Sequence, residues 1–307
     1  MEGRQQSRMA ETAGQSVTDF GEALARAALA TIGEARQTLG NRDLAVPEAV
    51  HALRKALKRW RALLRLLEGP LGRQADRMRT EARALTRALA AARDAQSALD
   101  ALDDLGKAQA PLSSTTIAAL RRRLIALRET AQARDVTPDL RERVARYLDG
   151  AVRWVERWPC QSIDFDTTVA GLTATYRRAR KLLPEDWAEA DAAQLHALRR
   201  RVVEHRDQMD LVAPLLPRHD GARSKQAQRL RRRLGACQDL AVLARLTAPR
   251  QALAPWRARL SPIIEARRAA HVKSAARIAT RLFARKPKAF RRRLGAGWST
   301  REARAGR

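Results

Sequence analysis

Aromatic residues make up 4% of this 307-residue chain, and β-branched residues are sparse. A β-sheet builds its faces from those residue types, and no segment shows the alternation of a half-buried strand. Cysteine is nearly absent. Cys160 and Cys237 alone supply no disulfide framework, which points to a reducing compartment. No apolar run of about 18 residues occurs, so no bilayer-spanning helix and no membrane partner are expected. Residues 1–15 hold no apolar core, which argues against a secretory leader. The expected location is the cytoplasm.

Acidic residues are also short. Asp and Glu number 33 against 61 Lys and Arg, leaving a formal charge of +28. Such an excess repels itself in a compact fold and implies a polyanionic partner: nucleic acid, an acidic membrane or a phosphate polymer. Lysine occurs at only eight positions, so arginine carries the charge. Guanidinium groups suit bidentate phosphate contacts, although a GC-rich coding sequence also yields an Arg- and Ala-rich chain.

What is abundant is Ala, Leu and Arg, all helix-favouring. The chain reads as all-α. Helices are expected near 17–38 (opened by Asp19 with Glu22 in capping-box spacing), 47–68 (Pro47 in its first turn, Gly69-Pro70 at its end), 71–105, 114–134 and 138–158. After a joint at 159–166, further helices are expected near 167–182, 191–213, 220–247 and 256–285. The domain reading is a tail at 1–16, a first helical bundle at 17–158, a second at 167–290 and a basic tail at 291–307.

One segment occurs twice, 145 residues apart: VHALRKALKRWRALLRLLEG (50–69) and LHALRRRVVEHRDQMDLVAP (195–214). His51 aligns with His196, Arg54 with Arg199, Lys55 with Arg200 and Arg61 with Arg206. The register continues without a gap, so ALAAARDAQSAL (88–99) lies over RLGACQDLAVLA (233–244) and Asp94 over Asp239. Two similar helical units therefore share a row of cations, and with it an anionic ligand.

At 100° per residue, His51, Arg54, Lys58, Arg61 and Arg65 form one stripe with Lys55 at its edge. Leu53, Leu57, Trp60, Leu64 and Leu67 occupy the core side. No Asp or Glu interrupts residues 49–67, whereas an ordinary solvated face would interleave acids at i,i+4. In the second copy His196, Arg199, Arg200 and Arg206 hold the equivalent places, but Val203, Glu204 and Asp210 replace Lys58, Arg59 and Arg65. The cationic surface is thus weighted to the first half. His205 stands at the place of Trp60 and reads as a buried structural histidine.

H-x-x-R followed by basic residues, repeated in a second bundle, resembles the CHAD domain, the conserved histidine α-helical domain. DFGEALARAALATI (19–32) resembles its opening helix and VPEAVHALRKALKRWRALLRLL (46–67) its signature. AARDAQSALDAL (91–102), TYRRARKLL (175–183), GACQDLAVLARL (235–246) and ARKPKAF (284–290) resemble further segments. The likeness spans about 17–290. It implies two four-helix bundles related by a pseudo-twofold axis, with the basic helices lining a cleft between them. It also implies binding of inorganic polyphosphate, often on polyphosphate granules. Carried over by position, the contacts would be His51, Arg54, Lys58, Arg59 and Arg61, then His196, Arg199 and Arg206. Lys55, Arg65 and Arg200 join them from the helical stripe. Arg177, Arg180 and Lys181 either add charge at the cleft or are plain surface.

Polyphosphate has no bases, so its binder needs closely spaced cations and no stacking platform. The aromatics sit mostly at core-like positions, which favours polyphosphate over nucleic acid, the alternative partner. No P-loop, G-x-S-x-G, H-E-x-x-H or zinc spacing occurs. Asp94 and Asp239 are isolated and read as packing or Arg-orienting residues. A non-enzymatic binding protein without cofactor or metal is expected, its oligomeric state left open.

Overall fold

The structure is a computed structural model. It describes the backbone of residues 2–41, 43–44, 46–89, 93–132, 137–215 and 221–305, and the side chains of 20–41, 43–44, 48–89, 94–131, 137–215 and 221–296. Among these residues it is all-α, without a strand. The helices are α1 (Glu2–Gly40), α2 (Val46–Leu66), α3 (Glu68–Ala88), α4 (Arg93–Lys107), α5 (Ser114–Gln132) and α6 (Pro138–Val155). After a 3-10 turn at Cys160–Ser162 come α7 (Phe165–Arg180), α8 (Ala192–Val212), α9 (Gly221–Leu246), α10 (Arg257–Leu282) and α11 (Pro287–Ala305). The 145-residue offset carries α1 onto α7, α2 onto α8, α3 with α4 onto α9, α5 onto α10 and α6 onto α11.

Local signals set several starts. Thr137 Oγ1 accepts from the Leu140 amide (3.2 Å) ahead of Pro138. Asp164 and Thr167 form a reciprocal capping box at α7, and Asp191 accepts from the Gln194 amide (2.6 Å) at α8. Three boundaries differ from the sequence reading. α1 begins at Glu2, so Asp19 lies inside a helix; its side chain, like that of Pro47, falls outside the described residues. The helix expected over 71–105 is two, α3 and α4. A helix, α11, occupies the expected basic tail. Phe290 anchors it, buried and stacked on Tyr176 at 4.2 Å.

Two apolar cores each draw on both halves of the chain. The larger collects Leu24, Leu57, Trp60, Val144 and Leu148 from the first half with Tyr176, Leu198, Leu230 and Phe283 from the second. The smaller packs Leu99, Leu102, Leu105, Leu120 and Leu124 against Leu240, Leu243, Leu260 and Ile264. In the first half Trp60 stacks on Trp158 at 6.2 Å and meets Trp154 edge-on. Its Nε1 donates to Tyr147 Oη (2.7 Å), which donates to the Met78 carbonyl (2.8 Å). This satisfies every polar atom of a buried aromatic pair. At the equivalent place His205 lies among Tyr176, Phe283 and Phe290, fully buried and with neither ring nitrogen hydrogen-bonded. Burial pushes its pKa down to about 3, and Arg223 adds to the shift.

Candidate functional site

The apolar side of α2 is buried as its periodicity requires: Leu53, Leu57, Trp60, Leu64 and Leu67 are all in the core. Ala62, Leu63 and Leu66 are buried too. The helix is therefore covered on more than one side, and part of the cationic stripe is drawn inward with it. α7 closes on the end of α2 at Gly171, where a Cβ would collide with the Leu66 carbonyl.

The two repeated helices touch. Gln208 Nε2 on α8 donates to the Ala62 carbonyl on α2 (3.0 Å, buried), and Arg65 Nε lies 3.5 Å from Glu204 Oε1. Around this contact the structure gathers Arg61 from α2, Arg79 and Arg83 from α3, and Arg200, Arg201 and Glu204 from α8. Burial pushes the Arg61 guanidinium down to about 10. Glu204 opposes the shift, and the charges of Arg200, Arg83 and Arg79 deepen it. Arg61 stays charged at neutral pH, but at a cost, and its Nε is buried without a hydrogen-bond partner. The Arg200 pKa is lowered by burial and then by Arg83 and Arg201, with Glu204 opposing. Arg79 is paired with Asp76, and Arg201 with Glu204 (2.6 Å). Arg83 and Arg200 are exposed, and neither has an ion pair among the described residues.

A second group adjoins the first. Arg65 joins Glu68 (2.6 Å) and Glu204, and the pKa of nearby Arg178 is lowered by burial and then by Arg65, with Glu68 and Glu204 opposing. An open cavity of about 510 Å³ lies here, lined by Arg65, Glu68, Ser162, Thr167, Gly171 and Arg178.

The other sequence-derived residues lie elsewhere or are engaged. His51 and Lys55 are exposed near the start of α2, and Lys58 is half-buried. Arg59 reaches Glu34 at 3.5 Å. Arg54 is buried, and donates to the Thr86 carbonyl (3.1 Å) and the Leu89 carbonyl, closing the last turn of α3. His196 Nδ1 is 2.9 Å from Gln238 Oε1 on α9. Arg199 lies over Gly235 of α9, with Nε 3.4 Å from where a Cβ would sit. Arg206, the counterpart of Arg61, is held by Asp207, by Gln228 (2.6 Å) and by Asp210 (3.7 Å). Arg177 and Lys181 are exposed, and Arg180 donates to the Phe283 carbonyl (3.1 Å) at the end of α10.

The cluster is accordingly one-sided. Ser224 and Gln228 hold the α9 positions matching Arg79 and Arg83, and there Arg206 meets Asp207, Asp210 and Gln228, with Arg231 the guanidinium beside it. Arg79 and Arg83 did not emerge from the repeat for that reason: they have no basic counterpart. Their signal was an i,i+4 pair on α3, informative only once α3 is known to pack on α2. Asp94 pairs with Arg245 on α9 (2.5 Å), both side chains exposed.

A family model described as the CHAD domain matches residues 23–248. The chain is also similar in structure to the CHAD domain crystallised from the plant Ricinus communis, at 19% identity and a TM-score of 0.53. That match covers 87% of this chain and 93% of the other, and at such identity it speaks for the fold alone. No curated protein matches.

Proposed function

The chain belongs to the CHAD domain family, and from that premise we propose that it binds inorganic polyphosphate where α2, α3 and α8 meet. In this reading it acts as a binding module without catalysis of its own, resident on polyphosphate granules in the cytoplasm. One observation carries the reading. Arg61 is held, partly desolvated, in the field of Arg79, Arg83 and Arg200, with Glu204 the one acid opposing. Like charges fixed so close destabilise the free protein, and a ligand bringing several negative charges relieves them at once. Hydrogen bonds from a guanidinium to a phosphate oxygen contribute roughly 1.5–3 kcal/mol each. Lys55, Lys58 and His51, further along α2, would extend the track. Trp60, Tyr147, Trp158, Tyr176, Phe283 and Phe290 are buried and Trp154, Trp187 and Trp256 half-buried, so among the described residues bases would find few open rings to stack on. That weighs for a base-free polymer over nucleic acid.

Thermal melting with long-chain polyphosphate at low salt tests the reading. At a hundredfold excess over Kd the midpoint should rise by about 5 °C, and the rise should shrink as salt is added. An unchanged midpoint at low salt refutes it. Duplex DNA displacing polyphosphate at matched phosphate concentration would assign the site to nucleic acid.

A further inference from the structure

Most of the excess charge lies away from the cluster around Arg61. Residues 221–296 hold 21 of the 61 Lys and Arg but only two of the 33 Asp and Glu, Asp239 and Glu265, and so carry a formal +19 of the +28. α9 and α10 lie side by side and antiparallel within this stretch. Arg223 donates to the Leu282 carbonyl (2.8 Å), and Arg233 reaches His271 Nδ1 (3.3 Å). That register sets Lys225 level with Arg281, Arg229 with Arg277, and Arg232 with Lys273. At 100° per residue about each axis, the two rows open to the same side of the pair.

All six side chains are exposed, and none has an ion-pair or hydrogen-bond partner among the described residues. The exposed faces of α1 and α6 are neutralised at i,i+4. Arg26 pairs with Glu22 on α1, and Arg143 with Asp139 and Arg146 with Glu142 on α6. An arginine-rich composition alone would raise the charge of every face alike. It does not account for acids being kept on α1 and α6 and left out of these two rows. Asp239 is one turn or more beyond Arg232, and Glu265 two turns before Lys273.

We propose that the exposed α9–α10 face is a second track for the same phosphate polymer, engaged by chains long enough to run on past the α2–α3–α8 cluster. The inference rests on the polyphosphate reading above. Two rows of three cations, each about 10–12 Å long at 1.5 Å per residue, match an extended anion and not a compact one. The track would grip length, and the cluster would grip charge density.

The test compares tripolyphosphate with long-chain polyphosphate over a salt series. It uses wild type, Lys225→Gln/Arg229→Gln/Arg232→Gln and Lys273→Gln/Arg277→Gln/Arg281→Gln, with helicity checked by circular dichroism. Each triple variant should lose about 2 from the slope of log affinity on log salt for the long polymer, at ~0.7 per phosphate released. Tripolyphosphate affinity should stay as in wild type. A long-polymer slope unchanged in both variants, while wild type still binds, overturns the second track and leaves the cluster standing. A slope change seen with duplex DNA alone also overturns it. Wild type binding neither polyphosphate would sink both proposals together.

Discussion

Arg54 and Arg199, equivalent residues 145 positions apart, meet the same stretch of the repeat in two different states. Arg54 donates to the Thr86 and Leu89 carbonyls where α3 stops, whereas Arg199 crosses Gly235 in the middle of an unbroken α9. In the first half the arginine serves as the C-terminal cap of α3. In the second the helix runs on unbroken, and the guanidinium lies alongside Gly235 at ordinary contact distance.

Arg54→Ala should therefore destabilise the fold by about 2–4 kcal/mol, since it strips charged donors from two buried carbonyls. Arg199→Ala should cost less, because the hydrogen-bond ladder of α9 continues past Gly235. Urea midpoints of the two variants check this, and equal losses would contradict it.

Glu204→Gln should tighten polyphosphate binding several-fold at low salt, with the gain fading at high salt as screening shortens the reach of the charge. The free variant should also be less stable, because Arg201 loses its partner and Arg65 keeps only Glu68. Arg83→Gln with Arg200→Gln should do the reverse: weaker binding, by tenfold or more on the order of one charged contact each, without loss of helicity. Titration calorimetry beside thermal melts separates the two effects.

Asp104 on α4 accepts from Arg267 (2.7 and 2.8 Å) and His271 (2.7 Å) on α10. Burial alone would raise its pKa, but the hydrogen bonds from Arg267 and His271 outweigh it and bring the carboxyl down to about 2. A depressed carboxyl stabilises the fold above the unfolded value near 4, and that stability is lost as pH falls from there toward 2. Asp104→Asn should flatten the acid limb of stability in that window and cost about 1 kcal/mol at neutral pH, once solvent screening is allowed for. Urea unfolding at pH 3 and pH 6 measures it.

His205 acts in a different window. It stays neutral in the fold down to about pH 3, while in the unfolded chain it takes up a proton below about 6.5. Stability should fall by about 1.4 kcal/mol per pH unit across that range through this group alone. His205→Leu, which removes two unpartnered nitrogens at similar volume, should be about 2 kcal/mol more stable relative to wild type at pH 5 than at pH 7. Equal relative stability at the two pH values would show that His205 is not held neutral.

Much of the architecture was legible beforehand because helix signals are local. The starts expected near 138, 167 and 191 and the end expected near 285 fall within three residues of those of α6, α7, α8 and α10, and the His51/His196 register runs through the whole repeat. The division of α3 from α4 was not legible. ALAAARDAQ is as good a helix former as RLGACQDLA, and the break coincides with a tertiary bond from Arg54. The site was read in part for the same kind of reason. A wheel gives the angle of Arg54, Arg61 and Arg65 around α2 but not which neighbours cover that angle. Arg54 turned inward and Arg61 became half-buried. Arg79 and Arg83 joined it from a helix whose partner the sequence did not name.

The sharing of the smaller core between α4, α5, α9 and α10 has a consequence during synthesis. Leu99 and Leu102 leave the ribosome long before Leu240 and Leu243 exist to cover them. At about 5–20 residues per second that interval is on the order of ten to thirty seconds. For that time the apolar face of α4 that Leu240 and Leu243 later cover stays open to water, until the last third of the protein arrives.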